Sequence, residues 1–593
     1  MPDPIPVPIA PPPGVVKTET GKVAAGRWID GDKIHFVRGL PQKLGGWTKQ
    51  TTAATLGQPR ASHAWRDNAS NQFLAVGTYR KLYAYDSSFG QNDITPFRAT
   101  GTLGNNPFTT TNGSSIVAVA HNGHGLNPGD TIIFSGATAV GGITPNGTFT
   151  VLTVTDANNY KFDFGSNASS GATGGGAAVA FSYEIPVGTE LGAYGLGWGV
   201  GSWGINQWGN ARGSSTIFIE PRVWSLDHFG QILLASYNGG AIYSFDPTAS
   251  QPWPRAGIVT QAPADCRAMF VTAERFVVAL RAGMVIAWCT QGDYTVWTPS
   301  AANTANSRTL TVGTKLVAGR VLGPFVSLIW SDAAAYVMQW TGNKYVHDTR
   351  LLATECGLIA PGAAVTVNGV AYWMGADNFF TYDGSVHPIA NVEDVRKFVF
   401  DGLDKTRAPY QCHAVYDPKY NEIYFYYTVA GGANPTNYVI YAINDACWTP
   451  GALTRCSGTH FQQGDTRPYQ CDADGNIYLH NNGNDANGAA LPWSLTLAPY
   501  ALNKSLELCE IDGMETDFKD QAGTITFTLA TYDRLGDPAP QDSETETVSP
   551  GDQLIDWRSS GRYLSLSMSS SDLGSYFRWG VPQAYVKPLG ERR

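Results

Sequence analysis

The chain has 593 residues, 15% charged and 12% aromatic, with 66 glycines and a formal net charge of −9. Soluble proteins average about 25% charge, so this aromatic-rich composition excludes a disordered chain, and the glycine content excludes a coiled coil or helical bundle. The negative balance argues against a protein that grips nucleic acid, since grip comes from Lys and Arg displacing counterions from phosphates; a surface that nucleic acid passes without sticking stays open.

Residues 1–27 begin MPDPIPVPIAPPPG, with neither the basic nor the apolar region of a signal peptide. They read as an extended Pro-rich arm, either a flexible terminus or a polyproline segment docked on a neighbour. No run of 18 apolar residues occurs, so no membrane-spanning segment is expected.

Residues 28–100 are expected to hold platform strands and a first repeat, HAWRDNASNQFLAVGTYRKLYAYD at 63–86. In it an apolar strand meets an Asn/Gly/Asp turn, and a second strand ends in an aromatic residue and Asp. The pattern returns at 222–246, 364–383 and 413–448, with looser copies at 268–297, 315–345 and 461–479. Six or seven strand meanders of roughly 35–50 residues are the signature of an all-β chain built on a β-propeller, whose sheets bury both faces only by closing into a ring. A pair of β-sandwiches is the plainer alternative.

The repeat spacing breaks after the first unit. Between 101 and 182 the only charged residues are Asp130, Asp156, Lys161 and Asp163, and two β-alternating stretches point to an inserted small β domain over 101–183. Residues 184–214 form a Gly/Trp-rich loop in which Trp198, Trp203 and Trp208 recur every five residues. Neither helix nor strand places that period on one face. The three indoles are therefore anchors, packed on the chain's own repeats or at a subunit interface, where Trp is favoured. The remaining repeats fill 215–495, and 496–593 read as a C-terminal β-sandwich or platform. The one helical stretch is NVEDVRKFVFDG at 391–402, with Val392, Val395, Phe398 and Val399 at helical spacing and Gly402 at its end.

Chemistry-bearing motifs are sparse. Gly195-Leu-Gly197-Trp-Gly199 lacks the βαβ context of a dinucleotide site. His121 and His124 give two ligands, too few for a metal, and read as solvated loop histidines. Asp472 and Asp474 in DADGN lack calcium-loop spacing and read as a hairpin turn. Ser225-Leu-Asp227-His-Phe-Gly230 approaches the turn of sialidase-type propellers with the wrong spacing. Eight scattered cysteines, with no C-x-x-C pair, read as buried reduced thiols. The expectation is a protein with no catalytic, cofactor or metal site, and not an enzyme.

The run Trp28-Ile-Asp-Gly-Asp-Lys-Ile-His-Phe-Val-Arg-Gly-Leu-Pro-Gln-Lys-Leu-Gly-Gly-Trp47, the repeat ending Lys81-Leu-Tyr-Ala-Tyr-Asp86, the late Asn476-Ile-Tyr-Leu479 unit and Gly561-Arg-Tyr-Leu-Ser-Leu566 occur in one order. This layout resembles the tail nozzle proteins of short-tailed bacteriophages, also called tail tubular protein B or packaged-DNA stabilisation proteins. The resemblance implies a structural virion protein, assembled in the host cytoplasm as a homohexameric ring below a head-to-tail adaptor. Genomic DNA would be retained by the ring and then pass through its lumen without specific binding, and tail fibres or spikes are possible further partners. The alternative is a receptor-binding or glycan-processing propeller of the tail.

Overall fold

Short runs of Val, Ile, Tyr, Phe and Trp divided by Asn, Asp and Gly favour one local solution, the antiparallel hairpin. At residues 367–370 Val pairs with Val across Asn368 and Gly369, whose φ angles of 49° and 81° are the two left-handed positions of a type I′ turn. The computed structural model describes residues 4–195, 217–343, 345–503, 507–537 and 539–590. Among these the chain is all-β, built from antiparallel sheets with short helical turns.

Seven of the four-stranded sheets contain the seven repeat stretches. The first six are consecutive meanders: Pro59–Arg66 to Asn92–Asp93, Trp224–Phe229 to Gly257–Ile258, Cys266–Val271 to Asn306–Thr309, Leu316–Gly323 to His347–Thr354, Ala364–Val367 to Val386–Pro388, and His413–Asp417 to Cys447–Ala452. The seventh has three consecutive strands, Ser457–Thr459, Tyr469–Cys471 and Ile477–His480, and takes its fourth, Trp47–Lys49, from the start of the chain. The opening strand of each sheet lies beside that of the next, and the seventh returns to Pro59–Arg66, so the order of contacts is circular.

Large rings fill the spaces between neighbouring sheets. Trp330 meets Trp373 at 5.5 Å, and Phe379 meets Phe425 at 4.9 Å and Trp448 at 5.0 Å. Each such side chain stabilises by about 1.5–3 kcal/mol through burial alone. Glycine supplies the clearance: a Cβ on Gly77 would lie 2.5 Å from the Trp224 ring, and one on Gly319 would lie 2.2 Å from Phe270.

A platform gathers both ends of the chain. One five-stranded sheet runs in the order Trp28–Asp32, Trp493–Ala501, Tyr563–Ser570, Ile525–Tyr532, Asp542–Val548. Ile525–Tyr532 and Tyr563–Ser570 alternate buried and half-buried residues without a break, the pattern of an antiparallel sheet with one face on a core. That core includes Trp28, Trp493, Phe527, Trp557, Phe577 and Trp579. The Pro-rich arm joins it. Ile5–Pro8 pairs with Gln583–Gly590 at a sheet edge, where Pro6 and Pro8 cost no ladder bond, while Ile9 and Val15 are buried. The expectation of a flexible terminus, or of one docked on a neighbour, is thereby corrected: this segment lies on its own chain's platform.

The insertion leaves on Phe97–Thr102 and returns on the antiparallel strand Ala180–Glu184, with an eight-stranded sheet between and around them. Phe108, Phe134, Tyr160 and Phe162 form its own core. Its base carries four charges. The Lys81 ammonium donates to Glu184 at 2.6 Å and to Asp93 at 3.0 Å, and the Arg255 guanidinium pairs with both carboxylates. Burial pushes the Asp93 carboxyl up, yet Lys81 and Arg255 hold it below the usual carboxylate range.

The 391–402 stretch breaks into a 3-10 turn, Val392–Asp394, and the helix Arg396–Asp401. Val392, Val395 and Val399 are buried, whereas Phe398 is exposed beneath the Lys17 ammonium. All eight cysteines are buried free thiols. No helix among the described residues is long and apolar enough to cross a membrane.

Removing one partner from a buried ion network leaves the others uncompensated, at a cost of about 3–5 kcal/mol. Lys81→Met is therefore expected to lower the denaturant midpoint by that equivalent, and Lys81→Met combined with Glu184→Leu to recover most of it, read by chemical unfolding.

Candidate functional site

The circular order of opening strands encloses an axial cavity of about 600 Å³, the size of a small-molecule pocket. Each opening strand offers one edge to it, so residues far apart in sequence meet there. His63 comes from Pro59–Arg66, Asp227 and His228 from Trp224–Phe229, Arg320 from Leu316–Gly323 and His413 from His413–Asp417; His460 follows Ser457–Thr459.

Strand alternation sends Asp227 and His228 to opposite faces. Asp227 reaches towards the third sheet, where its Oδ2 accepts the Val271 N–H at 2.8 Å, while its Oδ1 accepts the His228 N–H at 2.8 Å. His228 faces the first sheet, and its Nδ1 lies 2.9 Å from Nε2 of His63. Asp227 Oδ1 is 3.5 Å from His228 Nδ1 and 3.9 Å from His63 Nε2, so the three side chains converge at the inner strand edge. They remain 21%, 23% and 39% exposed for His63, Asp227 and His228, and all three line the cavity. Burial pushes the His63 imidazole down to about 4 against the opposing pull of Asp227. Burial pushes the Asp227 carboxyl up, but its bond from His228 and the two imidazoles hold it below the usual carboxylate range. The Arg320 guanidinium is fixed by Gly319 O and Pro361 O, both at 2.9 Å.

On the cavity's other side His413 stacks on Tyr426 at 4.8 Å, and its Nδ1 bonds Gln411 O at 3.2 Å. Its Nε2 is buried without a protein partner. The group is amphoteric, with imidazoles that can donate or accept, one carboxylate and one fixed guanidinium. It can hold an ion or a small polar ligand.

A second cavity, about 540 Å³, lies where the chain departs towards and returns from the Gly/Trp segment, beside Leu191, Gly192 and Glu220. Glu220 pairs with Arg267 at 3.0 Å and Lys315 at 2.6 Å, and Lys405 and Arg407 line the same wall. The proposed interface residues Trp198, Trp203 and Trp208 lie outside the described residues.

Other sequence candidates resolve locally. His124 is buried rather than solvated: its Nδ1 accepts the Leu126 N–H at 2.9 Å and its Nε2 donates to Asp156 O at 3.0 Å. His121 bonds the Tyr183 hydroxyl at 2.7 Å. Asp472 closes the hairpin between Tyr469–Cys471 and Ile477–His480 by accepting the Asn476 N–H at 2.8 Å. Sequence reasoning passed over His63, Asp227 and His228 as a set. The nearest signal was the run Ser225-Leu-Asp227-His-Phe-Gly230, set aside for its spacing, whose first five residues lie in the strand Trp224–Phe229. No family model matches the chain, and no curated protein matches it.

His413, in this cavity, and His347, wedged between Phe276 and Trp288, are both pushed down to about 4 by burial. Each is neutral when folded and protonates on unfolding below its ordinary 6.5. The unfolded state then binds more protons, so stability is full above about pH 6.5 and is lost as pH falls towards about 4. Each imidazole contributes a slope of about 1.4 kcal/mol per pH unit within that window. Denaturant unfolding at pH 7, 6 and 5 is expected to show a shallower pH slope for His413→Gln, by one proton.

Proposed function

We propose that the seven circularly ordered sheets form a seven-bladed β-propeller, and that the chain is the subunit of a homohexameric tail nozzle in a short-tailed bacteriophage. The observation that carries this reading is the placement of the Trp28–Trp47 motif, on which the family resemblance chiefly rests. It supplies Trp28–Asp32, Ile34–Val37 and Leu40–Lys43 to the platform and ends where Trp47–Lys49 completes the seventh sheet. One short segment thus joins the two bodies of the subunit, as the joint of a load-bearing ring requires.

The axial cavity of a single chain is of small-molecule size and crossed by side chains, so the DNA path in this reading runs between six subunits. A chain at −9 favours passage over grip, because each Lys or Arg contact to phosphate adds counterion-release binding. Low charge and abundant aromatics suit wide, permanent interfaces. Trp198, Trp203 and Trp208 are proposed as anchors of the subunit contact, a head-to-tail adaptor ring as the neighbour above, and the insertion as a dock for fibres or spikes.

Native mass spectrometry and cryo-EM of the purified chain are expected to give closed rings of six, and virions to carry six copies. Trp198→Ala/Trp203→Ala/Trp208→Ala is expected to shift the protein to monomer with its thermal unfolding midpoint kept within a few degrees. A monomer absent from particles, or one that binds or cleaves glycans on an array, overturns the reading.

A further inference from the structure

Three side chains in the axial cavity have the donor set and spacing of a metal site. His63 Nε2, His228 Nδ1 and Asp227 Oδ1 lie 2.9, 3.5 and 3.9 Å from one another, and every described group of this kind elsewhere in the chain is smaller or more dispersed. A tetrahedral ion with metal–donor bonds of about 2.0–2.2 Å separates its donors by roughly 3.4 Å. The three distances bracket that value, so one ion can be seated with sub-ångström movements of side chains that already face a cavity.

We propose that His63, Asp227 and His228 bind one divalent transition ion of the zinc class, which bridges the first and second sheets of the ring. Two imidazoles with one carboxylate select borderline ions such as zinc, cobalt or nickel over magnesium or calcium, which prefer all-oxygen shells. The carboxylate is pre-oriented for the task. Its Oδ2 is held by the Val271 N–H and its Oδ1 by the His228 N–H, which fixes the rotamer and leaves a lone pair of Oδ1 towards the imidazoles. Arg320, its guanidinium immobilised by two carbonyls, adds positive charge that acts on both Asp227 and His63. With one carboxylate against a divalent ion and this guanidinium, the site carries net positive charge, which favours a small anion from the cavity as the fourth ligand.

The location gives the ion a role. His63 belongs to the first sheet, and Asp227 and His228 to the second. Between these two sheets the chain makes its longest excursion, through the insertion at 97–185 and the Gly/Trp segment. Elsewhere successive sheets are joined by far shorter connections, the longest being the 24 residues of 389–412 between the fifth and sixth sheets. At this junction a shared ion links the two sheets directly, beside the network of Lys81, Asp93, Glu184 and Arg255. The inference rests on the chain's own geometry and stands apart from the nozzle reading, so a failure of either leaves the other intact.

The test uses the full-length chain, purified without a polyhistidine tag, stripped with chelator and dialysed. Zinc titration by calorimetry is expected to give one site per chain. Cobalt(II) is expected to give visible d–d bands of tetrahedral intensity that zinc abolishes, and stoichiometric zinc to raise the thermal midpoint. His63→Gln and His228→Gln are each expected to weaken zinc binding by about 100-fold or more, exceeding the 10–100-fold typical of losing an outer-shell partner. His387→Gln, at an exposed histidine paired with Asp383 and outside the cavity, is expected to leave it unchanged. Absence of a stoichiometric site in the wild-type chain overturns the proposal, whatever the variants do. So does zinc affinity that survives in both His63→Gln and His228→Gln, or a cobalt spectrum of six-coordinate aqueous character.

Discussion

The structure depends on the closure of the seventh sheet by a strand from the beginning of the chain. Tyr478, Leu479 and His480 pair with Lys49, Thr48 and Trp47, so the last turn of the cycle is completed across more than four hundred residues of sequence. The joint is reinforced by stacked rings. Trp47 lies on His480 at 5.3 Å, and the Arg455 guanidinium lies over Trp47 at 4.9 Å and donates to His480 Nε2 at 2.9 Å. Burial and the neighbouring Arg455 charge keep His480 neutral, well below its ordinary protonation range, which lets it accept that bond. Backbone enters as closely as side chain: a Cβ on Gly46 would lie 2.2 Å from the Asp485 carbonyl oxygen. A residue larger than glycine at 46 would hold the closing strand away from its partner.

Once closed, the cycle fixes where everything else sits. The platform is joined to the sixth sheet through Asp32, whose carboxylate accepts the Ala452 N–H at 2.8 Å, and through the buried His35–Glu422 pair at 2.9 Å. The insertion is fastened to the first and second sheets through Lys81, Asp93, Glu184 and Arg255. Apolar contacts hold these bodies together with little directional preference, whereas a four-charge network is satisfied in one relative orientation. Charge is scarce in this sequence, and where it is buried it marks the joints.

The repeats were legible because their turn chemistry and two-residue periodicity are local. HAWRDNASNQFLAVGTYRKLYAYD and AVTVNGVAYWMGADNFFTYD each fall on the first three strands of one four-stranded sheet, and the insertion announced itself by interrupting the spacing. Nothing local told that Ile5–Pro8 would pair with Gln583–Gly590, because Pro-x-Pro composition resembles that of a free arm and the partner is almost the whole chain away. The helical stretch was recognised by its valines, but Phe398 shares their period without their burial. The axial cluster was invisible for the same reason as the pairing of the two chain ends. His63 and His228 are 165 residues apart, and only a circular arrangement of strands brings them within 2.9 Å.

The shared platform also imposes an order in time. Trp28 pairs with Leu497, so the first platform strand is made about 470 residues before its partner. At synthesis rates of about 5–20 residues per second, that strand waits about 25–90 s on the ribosome with its apolar face uncovered. The sheets of the ring can form one after another as they emerge, yet the last of them also requires a strand from this waiting segment. The nascent chain therefore carries unpaired strand edges at 28–32 and 47–49, the kind of edge on which aggregation templates, through nearly all of its translation.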